Sequence, residues 1–126
     1  MSLHDAEVMA VETRRDTQQL LLKLRMPGGT DAFLEFLGVE DVFLGPFCEQ
    51  NVLFDLDIWS ASREGTLERC RELELPSRCS DAILAAELVL YELDSSVGLA
   101  GHVLATAARW AEGREGGTHG PFYDFR

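Results

Sequence analysis

Apolar and polar residues alternate along much of this chain, most sharply between Val52 and Trp59. Val52, Phe54, Leu56 and Ile58 occupy one parity, and Leu53, Asp55, Asp57 and Trp59 the other. A strand turns successive side chains to opposite faces. The pattern therefore predicts a strand with one apolar, core-facing side and one acidic side that also carries a leucine and a tryptophan. Residues 6–14 alternate loosely and predict a first strand. Residues 18–26 alternate better, with Leu20, Leu22, Leu24 and Met26 on one face and Lys23 and Arg25 on the other. Pro27-Gly28-Gly29-Thr30-Asp31 combines a preset φ with residues that accept positive φ, so a hairpin is expected from about 18 to 37. Its return strand, 32–37, is apolar on both parities except at Glu35, the signature of a strand covered on both sides. Val42-Phe43-Leu44 predicts another short strand, closed by Gly45-Pro46.

The second half is less decisive. Thr66 to Leu73 reads as a helical turn or two, with Thr66 as cap and Glu68 and Glu72 facing arginines. Residues 81–93 fit either a helix capped by Ser80 or Asp81 or one buried strand, since Ala and Leu favour the first and Leu88-Val89-Leu90-Tyr91 the second. A hairpin turning at Asp94-Ser95-Ser96 explains 81–93 and 97–111 with one rule, and strands are favoured for both. The expectation is a mainly β fold: an antiparallel two-layer sandwich or roll of about six to eight short strands. The alternative is α+β with a helix near 81–93. Residues 1–112 form a single β domain in this reading, and 113–126 a glycine-rich segment with an aromatic C-terminal tail. The tail's three aromatics would dock on the sheet or on a neighbouring molecule.

The chain has 126 residues, long enough for one domain with a sizeable core. Its formal net charge of −11, with Lys23 as the only lysine, repels phosphate backbones and anionic lipid. Nucleic-acid and membrane-surface partners are thereby disfavoured, and a basic protein partner suits the charge. The same charge also serves solubility alone. Cys48, Cys70 and Cys79 are odd in number, widely spaced and without a C-x-x-C pair, so neither a disulfide framework nor a structural zinc is expected. The N-terminus lacks a basic n-region and an apolar h-region, and no apolar run is long enough to span a bilayer. The localisation expected is cytoplasmic.

Few residues suggest chemistry. His4, Asp5 and Glu7 offer an imidazole and two carboxylates, which suit a metal or proton transfer; near a terminus such residues more often face water. No metal and no cofactor is expected. Gln50 and Asn51 are able to read a ligand through their amides, or to cap the turn that enters the central strand. Asp55 and Asp57 share a face and are suited to acid–base work, but cross-strand ion pairs with Lys23 and Arg25 are the simpler fate. Trp59 beside them favours a binding face, as do Asp55 and Asp57 themselves and, on the same parity, Leu53. His102 reads as a core or edge histidine, and His119 has no evident partner. No G-x-S-x-G, H-E-x-x-H or P-loop is present.

Three segments in order resemble the bacterial immunity protein 50 family, found beside polymorphic toxins. They are Ser2-Leu3-His4-Asp5-Ala6-Glu7-Val8; Leu37-Gly38-Val39-Glu40-Asp41-Val42 with Gln50-Asn51-Val52-Leu53-Phe54-Asp55-Leu56; and Glu92-Leu93-Asp94-Ser95-Ser96-Val97-Gly98-Leu99-Ala100-Gly101. The resemblance spans most of residues 2–111 and departs at Leu3 and Val97, where the family favours phenylalanine and tyrosine. It implies a non-enzymatic protein that neutralises a cognate toxin by binding it. It also implies that His4, Asp5, Glu7, Gly38, Gln50, Asn51, Gly98 and Gly101 mainly hold the fold. The rival expectations are a homo-oligomeric or assembly module, with a homodimer formed through the tail, and a small hydrolase-type enzyme.

Overall fold

In a computed structural model the described residues are 2–125. Met1 and Arg126, the outer ends of the domain and tail anticipated above, lie outside them. Strands occupy 47% of the chain and helix 15%, so the fold is mainly β. The strands are β1 (Glu7–Arg14), β2 (Gln19–Arg25), β3 (Asp31–Leu37), β4 (Asp41–Leu44), β5 (Val52–Trp59), β6 (Val89–Val97), β7 (Gly101–Ala105), β8 (Ala107–Glu112) and β9 (Tyr123–Asp124). Helices α1 (Thr66–Glu72) and α2 (Ser77–Leu84) lie between β5 and β6. All nine strands form one antiparallel sheet in the order β4-β7-β6-β5-β1-β2-β3-β8-β9, not two sheets stacked as a sandwich. No helix among the described residues is long and apolar enough to cross a membrane.

The sheet rolls so that its inner face encloses the main core. Leu20, Leu22 and Leu24 of β2, Leu34 and Phe36 of β3, and Leu53, Leu56, Tyr91 and Leu93 across the roll bury together. Phe36 meets Tyr91 edge-on, ring centroids 5.2 Å apart, which ties the two ends of the roll. Burial pushes the Tyr91 phenol up to about 12, so it stays neutral. A smaller core lies on the outer face, where α1 and α2 bring Cys70, Cys79 and Ile83 onto Leu88, Leu90 and Leu104. Both cysteines are free and act as small apolar fillers.

Several expectations hold in detail. The 18–37 hairpin pairs Gln19 with Leu37 through Arg25 with Asp31. β3 is buried on both faces, because the C-terminal tail folds over its outer side: His119 and Phe122 pack there with Phe33, and Arg109 pairs with Glu35 while stacking on Phe122. The aromatic tail is thus part of the sheet, with β9 paired to β8 and Phe125 against the core. Other expectations need correction. Residues 81–93 are neither one helix nor one strand, because α2 ends at Leu84 and β6 starts at Val89. Asp94-Ser95-Ser96 lies inside β6, and the chain turns instead at 98–100, where Gly98 has φ +76°. Thr66 does not cap α1; its hydroxyl donates to the Ser60 and Arg63 carbonyls.

The halves of the sheet join at a narrow seam. β1 and β5 share a single register pair, Glu7 with Val52, flanked by Val8 N–H to the Asn51 carbonyl (2.8 Å) and Leu53 N–H to the Ala6 carbonyl (2.8 Å). Asn51, 2% exposed, locks this point. Its Oδ1 accepts from Cys48 N–H (2.9 Å) and Leu99 N–H (3.0 Å), and its Nδ2 donates to the Cys48 carbonyl (2.8 Å). The 48–51 loop and the β6–β7 turn therefore share one side chain. A Cβ at Gly98 would press on that Oδ1 and on the Gln50 carbonyl, so the turn needs glycine for space as well as for φ. Replacing Asn51 with Ala strands buried backbone groups and is expected to cost about 2–4 kcal/mol. Urea denaturation checks this; a loss below about 0.5 kcal/mol would mean that the seam does not depend on Asn51.

Candidate functional site

The acidic side of β5 is real, but a β-bulge rebuilds it. The β5–β6 register slips between Val52 and Leu53 and again between Leu53 and Asp55. An extra residue in a strand reverses the facing of the residues beyond it. Leu53 therefore turns inward and is 0% exposed, so it is a core residue and not part of a binding face. Phe54 turns outward and is 50% exposed, against the expectation that its parity faces the core. Beyond the bulge Leu56 points in and Asp55 out, as the alternation predicted. A bulge of this kind leaves no mark in the hydrophobic pattern, which is why Phe54 was missed.

The expected partners of the aspartates are absent. β2 lies between β1 and β3, so Lys23 and Arg25 are not opposite β5; Arg25 faces Asp31 at 3.6 Å instead. Opposite β5 stands β6, and it brings more acid. Asp55 pairs directly with Asp94, and Asp57 with Glu92. Like charges directly across a ladder repel. One pair is relieved by α1: Arg69 forks onto Glu92, Nε to Oε1 at 2.5 Å and Nη2 to Oε2 at 2.6 Å, while its Nη1 reaches Glu72 at 2.6 Å. Among the described residues Asp57 has only Arg63, at 3.9 Å. Asp55 accepts a hydrogen bond from Leu56 N–H, but neither it nor Asp94 has an ion pair among the described residues.

These side chains border an open groove of about 630 Å³ between β5, β6 and α1. Asp57, Glu64, Glu68, Glu72, Glu92 and Asp94 line it against a single arginine, Arg69. Trp59 forms part of its wall, but it is no free anchor: the Arg63 guanidinium sits 3.5 Å over the ring and the ring's other side joins the helical core. Its buried Nε1–H leans toward Glu92 and helps keep that carboxylate ionised, though not in the geometry of a full hydrogen bond. A second groove, about 470 Å³, runs between the β1–β2 turn and β4 and carries mixed charge from Arg14, Arg15, Glu40 and Asp41.

The remaining singled-out residues are dispersed. His4 and Asp5 form an exposed pair at 3.0 Å in a turn where Asp5 has φ +65°. Glu7 is drawn off into β1 opposite Arg25. His4 packs edge-on against Phe54, ring centroids 5.0 Å apart. Among the described residues no cluster of three or more histidine, cysteine or acidic side chains is arranged to hold a metal. Gln50 sits in the loop before β5, with its carbonyl at the Gly98 turn. Gly38 lies against Thr106, and Gly101 lets β4 pass so close that a Cβ would meet the Phe43 carbonyl. His102 is half-buried beside Glu92 and stacks on Phe43; burial lowers its pKa more than Asp41 and Glu92 raise it, favouring the neutral ring.

Comparison of the chain with protein-family models, with curated proteins and with solved structures finds no match.

The Arg69 fork holds the Glu92 carboxylate below its ordinary value of 4.5 against the opposing effect of burial. A lowered carboxylate pKa stabilises the fold above the ordinary value and loses that contribution as pH falls through the folded value. Wild-type stability is therefore expected to drop below about pH 4.5, and Glu92→Gln to be less stable at neutral pH with a shallower drop. Urea midpoints measured across pH check this; parallel curves for the two proteins would exclude the fork as a stabilising pair.

Proposed function

We propose that this protein is a non-enzymatic binding protein that docks a basic protein domain, and that it acts as an immunity protein, neutralising a toxin domain by covering it. One observation carries the reading. Asp55 faces Asp94 and Asp57 faces Glu92 across adjacent strands, with Arg69 committed to Glu92, Arg63 only within 3.9 Å of Asp57, and no ion pair to Asp55 or Asp94 among the described residues. The isolated chain bears repulsion there that a cationic partner removes, so the face is worth more to a complex than to the fold. The net charge of −11 supports the same partner through long-range steering. Exposed Phe54 beside the acids adds apolar contact area. The resemblance to immunity protein 50 supports the class of partner, and the roles it implies for Asn51, Gly98 and Gly101 agree with their buried, space-limited positions.

Co-expression with the tagged product of the adjacent open reading frame is expected to give a stable complex and to protect cells from that product. Raising the salt should weaken the complex about tenfold or more. The double substitution Asp55→Asn with Asp94→Asn should raise the stability of the free protein by about 0.5 kcal/mol while weakening the complex about tenfold. Absence of both complex and protection would overturn the reading, and a complex indifferent to salt and to this pair would overturn the role of the acidic face.

A further inference from the structure

We infer that the open edge of β4 is where the basic partner adds an extended segment to the sheet. The inference rests on the reading of this protein as one that binds a basic domain, and it specifies how. The two outermost strands of the sheet differ. At one end β9 has only two residues, follows Pro121 closely, and offers little backbone to a newcomer. At the other end β4 has four residues, paired to β7 on one side only.

The backbone of that edge is legible. Gly45 N–H bonds to the Ala100 carbonyl, and the register pairs Phe43 with His102. Antiparallel alternation then directs the Phe43 groups toward β7 and the N–H and C=O of Val42 and Leu44 away from it. The Val42 amide agrees with that direction: its N–H is met by the chain's own Asp41 Oδ1 at 3.0 Å, a short side-chain cap on an outward group. Above and below the edge, side chains are unusually bare. Phe43 is 67% exposed on the outer face, stacked on His102, and Val42 is 37% exposed on the other. A strand laid along β4 would bury both, one on each of its faces.

Charge selects the occupant. Glu40 and Asp41 flank the edge, with Arg14 and Arg15 across one adjoining groove and Arg78 across another, and the outer-face row inward from Phe43 runs through His102 to the acids Glu92 and Asp57. A second copy of this chain would bring the same acids edge to edge on a molecule of net charge −11, so self-pairing is opposed. A strand that carries lysine or arginine on its outer face continues the row that ends in the acidic groove, and meets Glu40 and Asp41 where it begins.

Three peptides of about eight residues test this: alternating lysine and valine, alternating glutamate and valine, and the lysine peptide N-methylated at every residue, so that neither of its edges can donate. The methylated peptide keeps the charge but cannot pair as a strand. The lysine peptide is expected to slow amide exchange at Val42 and Leu44 about tenfold or more and to shift the Phe43 resonances; the other two should do neither. In the full-length protein, Glu40→Gln with Asp41→Asn should weaken that peptide several-fold without altering the fold, because neither side chain is buried. Equal binding of the methylated lysine peptide, shifts confined to Asp57, Glu92 and Asp94, or no effect of any peptide on β4 would each overturn the edge. The wider reading is judged separately, by the complex with the adjacent gene's product.

Discussion

The seam between β1 and β5 is the constraint that sets the shape of the whole sheet. Four strands stand on one side of it and five on the other, and a few backbone bonds cross, one of them to the carbonyl of Asn51, whose side chain holds the β5 side of the seam. Elsewhere neighbouring strands pair over four or more residues, apart from the short β9. With so little ladder, the sheet is free to bend at this point, and the bend lets Phe36 reach Tyr91 and closes the core. Asn51 supplies what the ladder lacks. It ties the incoming 48–51 loop to the β6–β7 turn and leaves its own carbonyl for β1. A single buried amide with three satisfied bonds contributes more to uniqueness than a similar apolar residue, because any other arrangement would leave its polar atoms unpaired.

The bulges beside that seam decide what faces outward. They exchange Leu53 for Phe54, so the outer face gains an aromatic and the core gains a leucine. They also set Asp55 opposite Asp94. The outer face is then covered at two places by the chain's own parts, α1 and α2 over one end of β6–β7 and the tail over β3–β8. Between and beside these covers lie the acidic rows, Phe54 and the edge of β4. Arg69 marks the boundary: it neutralises Glu92 next to the helix and reaches none of the acids beyond.

Much of the fold was legible in the residues. The alternation of β2, the proline–glycine turn and the doubly apolar β3 predicted a hairpin that forms residue for residue, because local pattern and long-range pairing agree there. The region from 77 to 97 was misread for the opposite reason. Ala85 to Leu88 is a tight turn at which Ala86 takes φ +60°, a conformation its sequence does not advertise, and Ser95 and Ser96 look like turn residues while their hydroxyls bond to the Val52 carbonyl across the ladder. On the candidate face, Asp55, Asp57 and Trp59 were visible from their parity. Leu53 was misplaced and Phe54 missed because a bulge shifts parity without altering composition. Glu92, Asp94 and Arg69 were not singled out, since only the strand order brings them to β5. The expected ion pairs with Lys23 and Arg25 failed on the same point: sequence proximity suggested a neighbour that the topology places elsewhere.

In the proposed function, the acidic outer face of β5–β6 and the adjoining β4 edge together receive a basic partner. Hydrogen–deuterium exchange of the protein, alone and in complex with the product of the adjacent open reading frame, puts that to the sharpest test. Slowed exchange is expected across Asp41–Leu44 and along the outer rim of β5, β6 and α1, with β2, β3 and the tail unchanged. Slowed exchange confined to β2, β3, β8 or the tail would rule it out.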